Sequence, residues 1–558
     1  MQAFRRSLVF FSLVTAAILL ISLSGLAQTI GSANTATADP TVPRPAATPC
    51  VVHLFDAVAF ADFSPKPFVY TPPACAGPWA KVVLEADFSI QAGRQFDRTA
   101  NIWIGGANVY FGTTAEPSHS VARSWHVERD LTDYSPLFTT SQNGSVILGN
   151  LVNSTFTSIL FGSADLQFYP LAAKQPAPKT ADEVLPLSAG ADGGTVFLNS
   201  TSDQLSAELN LPMNVERAYL DVLAQSQAND EFWYSCVPND VTTELQSCGG
   251  TGFRETEVTI DGTPAGVAPV YPWIYTGGID PFLWRPIPGV QALNFIPYRV
   301  DLTPFAGLLS NGAPHTVALS VFNADVGFST TANLLLYLDH GGAQTFGGVT
   351  TNSLTAAPAP VVQENLTTDA SGSITGSVNV SASRQYNIHG WVQTSHGRVN
   401  TTVAANINFA NQQQFDITAT LYDQKIEQNT TIATVSTRAG GGSSQNEVNN
   451  FTWPLTLDFT FAVNTDGSFF QTTTIDQEYH QDRVLTQPGQ RALTSTVSNV
   501  VTPSDTEQFD SSGNFTGPTG QSNQQSYFTR DSTGYCYSRQ IAAAGGVLTA
   551  VTDGVGCK

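Results

Sequence analysis

Short alternations of apolar and polar residues recur along this chain and predict β-strands. Examples are "WAKVVLEADFSIQ" from residue 79, "ANIWIGGANVYF" from residue 100 and "HTVALSVFNA" from residue 315. Strict alternation places the apolar side chains on one face of a strand, as in a half-buried sheet. After residue 30 no stretch shows a helical period of useful length. The sequence therefore predicts an all-β protein.

Breaks in this alternation divide the chain into three β-rich regions, 49–170, 196–345 and 346–558. The segments 28–48 and 171–195 are predicted to be linkers, because they contain several prolines and show no periodicity. The first two regions share a pattern in which an apolar strand leads to an acidic and aromatic loop and then to a strand with a "GG" or "DG" turn. We therefore expect one building block used twice, a β-sandwich with jelly-roll or Greek-key connections.

The N-terminus is typical of a secretory signal. Arg5 and Arg6 precede an almost unbroken apolar run over residues 7–26, followed by an acceptable small-residue cleavage site. A signal peptide over 1–27 is the favoured interpretation. The alternative is an uncleaved single-pass signal anchor, because the run is nearly long enough to span a bilayer. Either would carry the rest of the chain into the secretory pathway, with an extracellular or vacuolar destination.

The cysteines and glycosylation sequons agree with this compartment. The chain has 6 cysteines, and the simplest of the fifteen possible connectivities joins nearest neighbours. This predicts the disulfides Cys50–Cys75, Cys236–Cys248 and Cys536–Cys557. The N-x-S/T sequons are Asn143, Asn153, Asn199, Asn365, Asn379, Asn400, Asn429, Asn450 and Asn514. So many acceptor sites suggest a eukaryotic secretory glycoprotein.

The charge balance limits the possible partners. The formal net charge is -21, and only 12% of the residues are charged. Such a surface repels nucleic acid and anionic membranes, so we exclude nucleic acid as a partner. The acidic composition also leads us to expect activity at acid pH.

The common catalytic motifs are absent from this sequence. It contains no G-x-S-x-G elbow, no H-E-x-x-H motif, and neither a phosphate-binding nor a dinucleotide-binding loop. The 8 histidines are scattered without ligand spacing, so we expect no metal and no cofactor. Carboxylates and aromatic residues on loops remain, as is typical of proteins that act on carbohydrate.

The loop candidates each have a simpler structural interpretation. Asp97 beside Arg98 could form an ion pair that only supports the fold, although surface pairs contribute just about 0–1 kcal/mol. Glu116 precedes a proline and could organise a turn. Trp273 and Trp284 could be core residues as readily as platforms for a sugar ring.

Several of these loops resemble the peptide-N-glycosidase A family, the plant and fungal peptide-N4-(N-acetyl-β-glucosaminyl)asparagine amidases. The resemblance rests on "FDRTANIWIGGANVYFGTTAEPS", "WHVERDLTDYSPLF", "NDEFWYS", "FRETEVTIDG" and "TGGIDPFLWRPI", in this order. It extends from about Cys50 to the "CYSR" that begins at Cys536. The "FDRTANIWI" stretch is also similar to the W-D-R motif of the bacterial peptide-N-glycosidase F enzymes. That similarity implies two adjacent jelly rolls, here followed by a C-terminal β-rich domain.

The resemblance implies a glycoamidase that cleaves N-glycans from glycopeptides and glycoproteins, giving aspartate and a glycosylamine. Asp97 corresponds to the principal catalytic carboxylate of the bacterial motif, and Arg98 would tune or position it. The second carboxylate does not carry over, because Gly250 occupies the position of the bacterial glutamate. Either another glutamate replaces it or this branch of the family manages without it; Glu231 is our preferred replacement, since its aromatic neighbours would raise its pKa, and Glu255 is the alternative. The candidate substrate-binding residues are Trp103, Glu116, Trp233, Arg254, Trp273 and Trp284.

Two other functions remain open from the sequence. A glycan-binding protein that lost the reaction would need only the aromatic residues. A glycoside hydrolase would use a carboxylate pair and leave N-acetylglucosamine on the peptide. For the region 346–558 the sequence does not choose between support of the catalytic residues and glycan binding.

Overall fold

The computed structural model describes residues 28–557 and consists almost entirely of antiparallel β-strands. Its single α-helix within these residues is α1 (Ala306–Leu309), and short 3-10 turns occur at Thr132–Phe138, Ala228–Asp230, Trp233–Ser235 and Thr303–Phe305. The prediction of an all-β protein is confirmed. None of the helices in the described range is long and apolar enough to cross a membrane. The predicted signal segment 1–27 lies outside the described residues.

The first eight strands form one sandwich of two four-stranded sheets. They are β1 (Cys50–Phe60), β2 (Lys66–Tyr70), β3 (Trp79–Ile90), β4 (Thr99–Ile104), β5 (Ala107–Thr113), β6 (Arg123–Asp130), β7 (Gln142–Leu148) and β8 (Leu160–Pro170). The strand orders are β1-β8-β3-β6 and β2-β7-β4-β5. This interleaving of early and late strands in two facing sheets is the jelly-roll arrangement.

The second sandwich repeats this arrangement. Its strands are β9 (Glu183–Leu187), β10 (Val196–Ser200), β11 (Leu205–Leu209), β12 (Val215–Ser226), β13 (Glu255–Ile260), β14 (Thr263–Pro269), β15 (Tyr298–Asp301), β16 (His315–Phe322) and β17 (Asp325–Leu338). The sheet orders are β10-β17-β12-β15 and β11-β16-β13-β14. Strand β9 also pairs with β17. The prediction of two jelly rolls is confirmed by these strand orders.

The C-terminal region forms one 12-stranded antiparallel sheet. Its strands are β18 (Phe346–Asn352), β19 (Val361–Thr368), β20 (Ile374–Thr394), β21 (Gly397–Ile417), β22 (Leu421–Gly440), β23 (Ser443–Val463), β24 (Phe469–Thr486), β25 (Leu493–Val501), β26 (Ser504–Phe509), β27 (Phe515–Asp531), β28 (Cys536–Ala544) and β29 (Val547–Asp553). Along β20 and β21 every second residue is buried, so one face of the sheet packs inward. That face shares a hydrophobic core with the second sandwich, whereas the first sandwich has a core of its own.

Buried amide side chains on this inner face bind the loops of the second sandwich. Gln413 Nε2 donates to Cys236 O at 2.9 Å, Gln477 Nε2 to Pro272 O at 2.7 Å, and Asn523 Nδ2 to Leu283 O at 2.8 Å. Buried loop carbonyls need such partners, because no water reaches them. The C-terminal sheet therefore fixes the conformation of long loops that have no regular structure.

The two predicted linkers are more ordered than their sequences suggest. In the segment 28–48, Ala38 is fully buried and its N–H donates to Gln525 Oε1 at 2.6 Å. The segment 171–195 contains strand β9, which pairs with β17. These segments bury few apolar side chains, and their backbone groups are instead satisfied by side chains and strands of the sheets they cross.

The three disulfides join the cysteines that nearest-neighbour pairing predicts, Cys50–Cys75, Cys236–Cys248 and Cys536–Cys557. Disulfides of this kind are typical of proteins that fold in an oxidising compartment.

An ion-pair network joins the N-terminal segment to the first sandwich. Arg44 binds both Glu85 and Glu128, and His126 lies between Asp87 and Glu128. Burial disfavours the charged imidazole, but hydrogen bonds to Asp87 and Glu128 outweigh it and raise the pKa of His126 to about 10. Glu85, His126 and Glu128 offer ligand atoms within 4.8 Å of one another. Arg44 and the protonated His126 already compensate the charges of Glu85 and Glu128, so we infer that this group stabilises the fold.

Candidate active site

Two carboxylates of the first sandwich converge on one glycine of the second. Asp97 precedes β4, Glu116 follows β5, and Gly277 lies in the long loop between β14 and β15. A Cβ atom on Gly277 would lie 2.5 Å from Asp97 Oδ1 and 2.4 Å from Glu116 Oε2. The Gly277 N–H also forms a hydrogen bond with Asp97. The absence of a side chain at this position therefore lets both carboxylates approach the loop.

Glu116 is held in place by two contacts with the same loop. Its Oε1 accepts from Arg285 Nη2 at 2.9 Å, and its backbone N–H donates to Thr276 Oγ1 at 3.0 Å. Burial raises the pKa of Glu116 to about 7; Arg285 opposes this shift, and the nearby charge of Asp97 adds to it. Oε2 is left on the side that faces Gly277.

Glu231 is the third carboxylate of this group. It follows the 3-10 turn Ala228–Asp230 at the end of β12, and its side chain makes no hydrogen bond or ion pair within residues 28–557. Burial raises the pKa of Glu231 to about 7, and the charge of Asp97 contributes to the shift. A half-buried acid without a partner is free to exchange a proton with a ligand.

Asp97 is half-buried, and its pKa is raised by burial. The Gly277 N–H and the charge of Arg98 oppose that shift. Asp97 and Glu231 thus come from different sandwiches and influence each other's ionisation. Carboxylates with perturbed pKa values that lie near one another are typical of acid–base sites. We call the junction of the two sandwiches that holds Asp97, Glu116 and Glu231 the cleft.

Arg98 does not form a direct ion pair with Asp97. Its Nη2 donates to Gln95 Oε1 at 2.8 Å, and its guanidinium lies 5.9 Å from the ring centroid of Phe63 and 5.7 Å from that of Phe96. The Nε atom is buried and has no hydrogen-bond partner in the part of the chain that the structure describes. Phe63 and Phe96 are about half exposed, at 57% and 49%. Arg98 therefore acts on Asp97 through its charge, and two aromatic rings beside it remain open to solvent.

The four tryptophans predicted as sugar platforms are all buried. The exposed fractions are 1% for Trp103, 0% for Trp233, 5% for Trp273 and 3% for Trp284. That prediction is wrong, because none of these rings has a free face on which a sugar could stack. Trp273 packs on Phe295 with centroids 4.4 Å apart, and Trp284 Nε1 donates to Gly278 O at 2.9 Å. These side chains support the loops from behind.

Arg254 and Glu255 also lie outside the cleft, which corrects their predicted roles. Arg254 Nε donates to Asp230 Oδ1 at 2.8 Å, and both side chains are fully buried. Glu255, on β13, is buried and forms an ion pair with Arg384 of β20, with Nε and Oε1 3.3 Å apart. Each charge is matched by a partner inside the protein, so neither is available to a substrate.

The sequence reasoning missed the loop residues that organise the carboxylates. The motif "TGGIDPFLWRPI" contains Gly277, whereas the site residue predicted within it is Trp284. Thr276 links the two sandwiches, because its Oγ1 donates to Thr114 O at 2.7 Å and accepts from the Glu116 N–H. Two consecutive glycines inside an acidic and aromatic loop were the available signal, since a close approach of other groups to a backbone often requires glycine.

Comparison with known proteins identifies the family of this chain. The family model described as "Peptide N-acetyl-beta-D-glucosaminyl asparaginase amidase A" matches residues 39–353. A protein of Prunus dulcis named "Peptide-N4-(N-acetyl-beta-glucosaminyl)asparagine amidase A" is 29% identical over 514 residues, which cover 88% of this chain and 86% of the almond protein.

Two solved structures share weaker similarity. For PNGF-II the TM-score is 0.37 and the identity 12%, with 52% of this chain and 65% of that chain covered. For PNGase F, a glycosylasparaginase from Flavobacterium meningosepticum, the TM-score is 0.36 and the identity 14%, with 52% and 96% covered.

The family match covers more than half of the chain, both sandwiches and all three carboxylates of the cleft. The chain belongs to the peptide N-acetyl-β-D-glucosaminyl asparaginase amidase A family.

Proposed function

We propose that this protein is a glycoamidase that hydrolyses the bond between an asparagine side-chain amide and the first N-acetylglucosamine of N-glycopeptides and glycoproteins. The observation that carries the proposal is the convergence of Asp97, Glu116 and Glu231 at the junction of the two jelly rolls. The membership of the family, whose name describes this chemistry, supports it.

Asp97 is the general base in this proposal. It accepts a proton from a water molecule while the water oxygen bonds to the amide carbonyl carbon. Desolvation raises the pKa of Asp97, and the Gly277 N–H and the charge of Arg98 oppose this shift and so favour the ionised form that a base needs. The partnerless Nε of Arg98 supplies positive charge for the oxyanion that forms on the carbonyl.

Glu231 is the general acid. Because its pKa is about 7, Glu231 carries a proton in a mildly acidic medium, and the proposed step requires Asp97 to be ionised under the same conditions. As the carbon–nitrogen bond breaks, Glu231 gives this proton to the departing nitrogen, so the products are aspartate and a glycosylamine. No part of this sequence of steps needs an oxidant or a reductant.

The first sugar requires its own contacts. We assign Glu116 Oε2 to accept a hydrogen bond from it, since Arg285 occupies the other oxygen. Phe63 and Phe96 replace the buried tryptophans as ring faces on which a sugar can stack, because about half of each is exposed.

The test is digestion of a defined glycopeptide in normal and in ¹⁸O-labelled water by wild type and Asp97→Asn, followed by peptide mass spectrometry. We expect a deglycosylated peptide with a new aspartate carrying ¹⁸O, and loss of this product in the variant. Asp240→Asn, an exposed carboxylate outside the cleft, is the matched control. A peptide that keeps N-acetylglucosamine would identify a glycoside hydrolase. An uncut peptide that still binds would identify a glycan-binding protein.

We also propose that the chain passes through the secretory pathway and is itself N-glycosylated. Eight of the nine sequon asparagines are exposed, and Asn379 is half-buried. The three disulfides support the same route. Treatment of the purified protein with an unrelated endoglycosidase should lower its mass by several glycans.

A further inference from the structure

A cavity of about 590 Å³ lies between the second sandwich and the C-terminal sheet. Phe232 and Ile279 form the wall on the sandwich side. Phe232 follows Glu231 directly, and Ile279 is two residues beyond Gly277. The opposite wall comes from strands β22, β23 and β24 of the C-terminal sheet. Its volume is within the range of roughly 300–1,000 Å³ that is typical of ligand pockets.

The lining of this cavity is free of charge. None of its described lining residues is Asp, Glu, Lys, Arg or His, although the formal net charge of the chain is -21. A second cavity of about 300 Å³, between the same two regions, contrasts with it because Arg299, Arg483 and Glu447 line it. An uncharged lining favours a neutral ligand, since no ionic group would have to be desolvated without a partner.

Three amide side chains in the lining are available to such a ligand. Asn229, Gln246 and Gln471 make no side-chain hydrogen bond within the described residues, and all are exposed or half-buried. Each amide offers donors and an acceptor. These groups match the hydroxyls of a sugar.

Aromatic rings complete the lining. Phe459 and Phe461 project from β23, and Tyr422 on β22 packs edge-on against Phe459 with centroids 5.9 Å apart. Both phenylalanines are half-buried, so part of each ring is open. Aromatic faces beside free amides are the combination that binds the apolar face of a sugar ring and its hydroxyls together.

We propose that this cavity is a subsite for the neutral hexoses of the glycan that lie beyond its first two sugars. The inference rests on the proposed function, because it assumes that the first sugar is held at Asp97. The strands that supply Phe459 and Gln471 lie outside the matched residues 39–353. The C-terminal sheet thus selects for large glycans in addition to holding the loops of the site.

The test compares two glycopeptides with one peptide sequence, one bearing a complete oligomannose glycan and the other trimmed to two N-acetylglucosamines. Steady-state kinetics are measured for wild type, Phe459→Ala and Gln471→Ala. Phe346→Ala is the matched control, since Phe346 is an exposed aromatic residue on the same sheet outside the cavity. Gln471→Ala removes only a side chain without protein partners, so it tests the subsite even where Phe459→Ala impairs folding.

We expect both subsite variants to raise KM for the complete glycan. For Phe459→Ala the increase should be about fivefold, because one stacking contact is lost. Turnover of the trimmed substrate should stay within about twofold of wild type in both variants, because this substrate lacks the distal sugars that the subsite would bind. Equal losses on both substrates, or none on either, would overturn the subsite. If wild type cleaves neither substrate, the proposed function fails. Calorimetric binding of the free oligomannose chain then decides the subsite alone, because the same two variants must weaken that binding.

Discussion

Glu231 and Glu255 belong to the same sandwich, and burial raises the pKa of each to about 7. Their surroundings differ completely. Glu231 has no hydrogen-bond or ionic partner in the described part of the chain and is influenced by Asp97. Glu255 faces Arg384 across the junction with the C-terminal sheet.

The difference shows that a raised pKa alone reports burial and not catalysis. Glu255 and Arg384 are both buried, so each compensates the charge of the other and holds two regions together. Asp230 with Arg254 is a second example, directly beside Glu231 in the chain. Catalysis instead needs an acid that is desolvated but has no partner inside the protein, so that it can contact a ligand. In this loop only Glu231 satisfies both conditions.

The most direct test of this difference replaces each glutamate with glutamine in turn. Glu231→Gln should lower kcat by about 10²-fold or more, in the range for loss of a general acid, with the unfolding midpoint unchanged. Glu255→Gln should leave both kcat/KM and the free energy of unfolding near those of wild type, because a pKa raised to about 7 means that the folded protein already favours an uncharged side chain beside Arg384. Kinetics and urea unfolding of both variants measure the two effects. A Glu255→Gln protein that is folded but inactive would reverse our assignment.

A second test moves the carboxylates without changing their charge. Gly277→Ala places a methyl group where Asp97 Oδ1 and Glu116 Oε2 now lie, so both side chains must shift. We expect kcat/KM to fall about 10–100-fold, because small displacements of catalytic groups are costly. Gly278→Ala is the control, since its nearest contacts, at 3.2 Å and beyond, are to Tyr275 and Ile274. Equal activity of Gly277→Ala and wild type would show that this convergence has no catalytic role.

Much of the fold could be predicted from the sequence. The alternation in "WAKVVLEADFSIQ" corresponds to strand β3, and the six cysteines pair with their nearest neighbours. The segment 28–48 could not be predicted, because its fixed conformation depends on groups far along the chain, such as Gln525. Local composition contains no information about such distant partners.

The site was predictable only where a motif or a local cluster of aromatic residues indicated it. Asp97 and Glu231 were found by resemblance and by their aromatic neighbours, and both lie in the cleft. The prediction for the tryptophans was wrong because the local sequence around a ring that binds sugar does not differ from that around a ring that fills a core. For Trp233 the deciding contact is with Phe409 of strand β21, 6.2 Å between centroids, and this distance along the chain leaves no local signal.

The pH dependence of activity separates the two kinds of carboxylate further. Asp97 must be ionised and Glu231 protonated, so kcat/KM should rise with pH as Asp97 loses its proton and fall again near pH 7. Glu231→Gln should flatten the basic limb, because the amide does not titrate. Glu255→Gln should keep both limbs, although its pKa is also about 7. If the basic limb survives in Glu231→Gln, it belongs to Glu116.

The smallest expected effect concerns Asp505, a carboxylate that is neither catalytic nor ion-paired. It lies on β26, is buried, and its burial together with the carboxyl of Asp280 raises its pKa to about 9 from the ordinary 3.8. Because the folded state binds this proton more tightly, its stabilising contribution is complete below pH 3.8 and is lost as the pH rises through about 9. Glu507, with a pKa raised to about 7 by burial, acts in the same direction, and Arg285 opposes it.

Thermal unfolding should therefore occur at a lower temperature at pH 8.5 than at pH 5.5, and Asp505→Asn should reduce this difference by about 2–4 °C. The amide keeps the hydrogen-bonding capacity toward Asp280 and removes the titration, while Asp240→Asn should leave the difference unchanged. A variant with the full wild-type difference would mean that Asp505 stays protonated throughout, or that other buried carboxylates dominate. The same measurement on Glu231→Gln should show a smaller change than Asp505→Asn, since the pKa of Glu231 is raised only to about 7 and that of Asp505 to about 9.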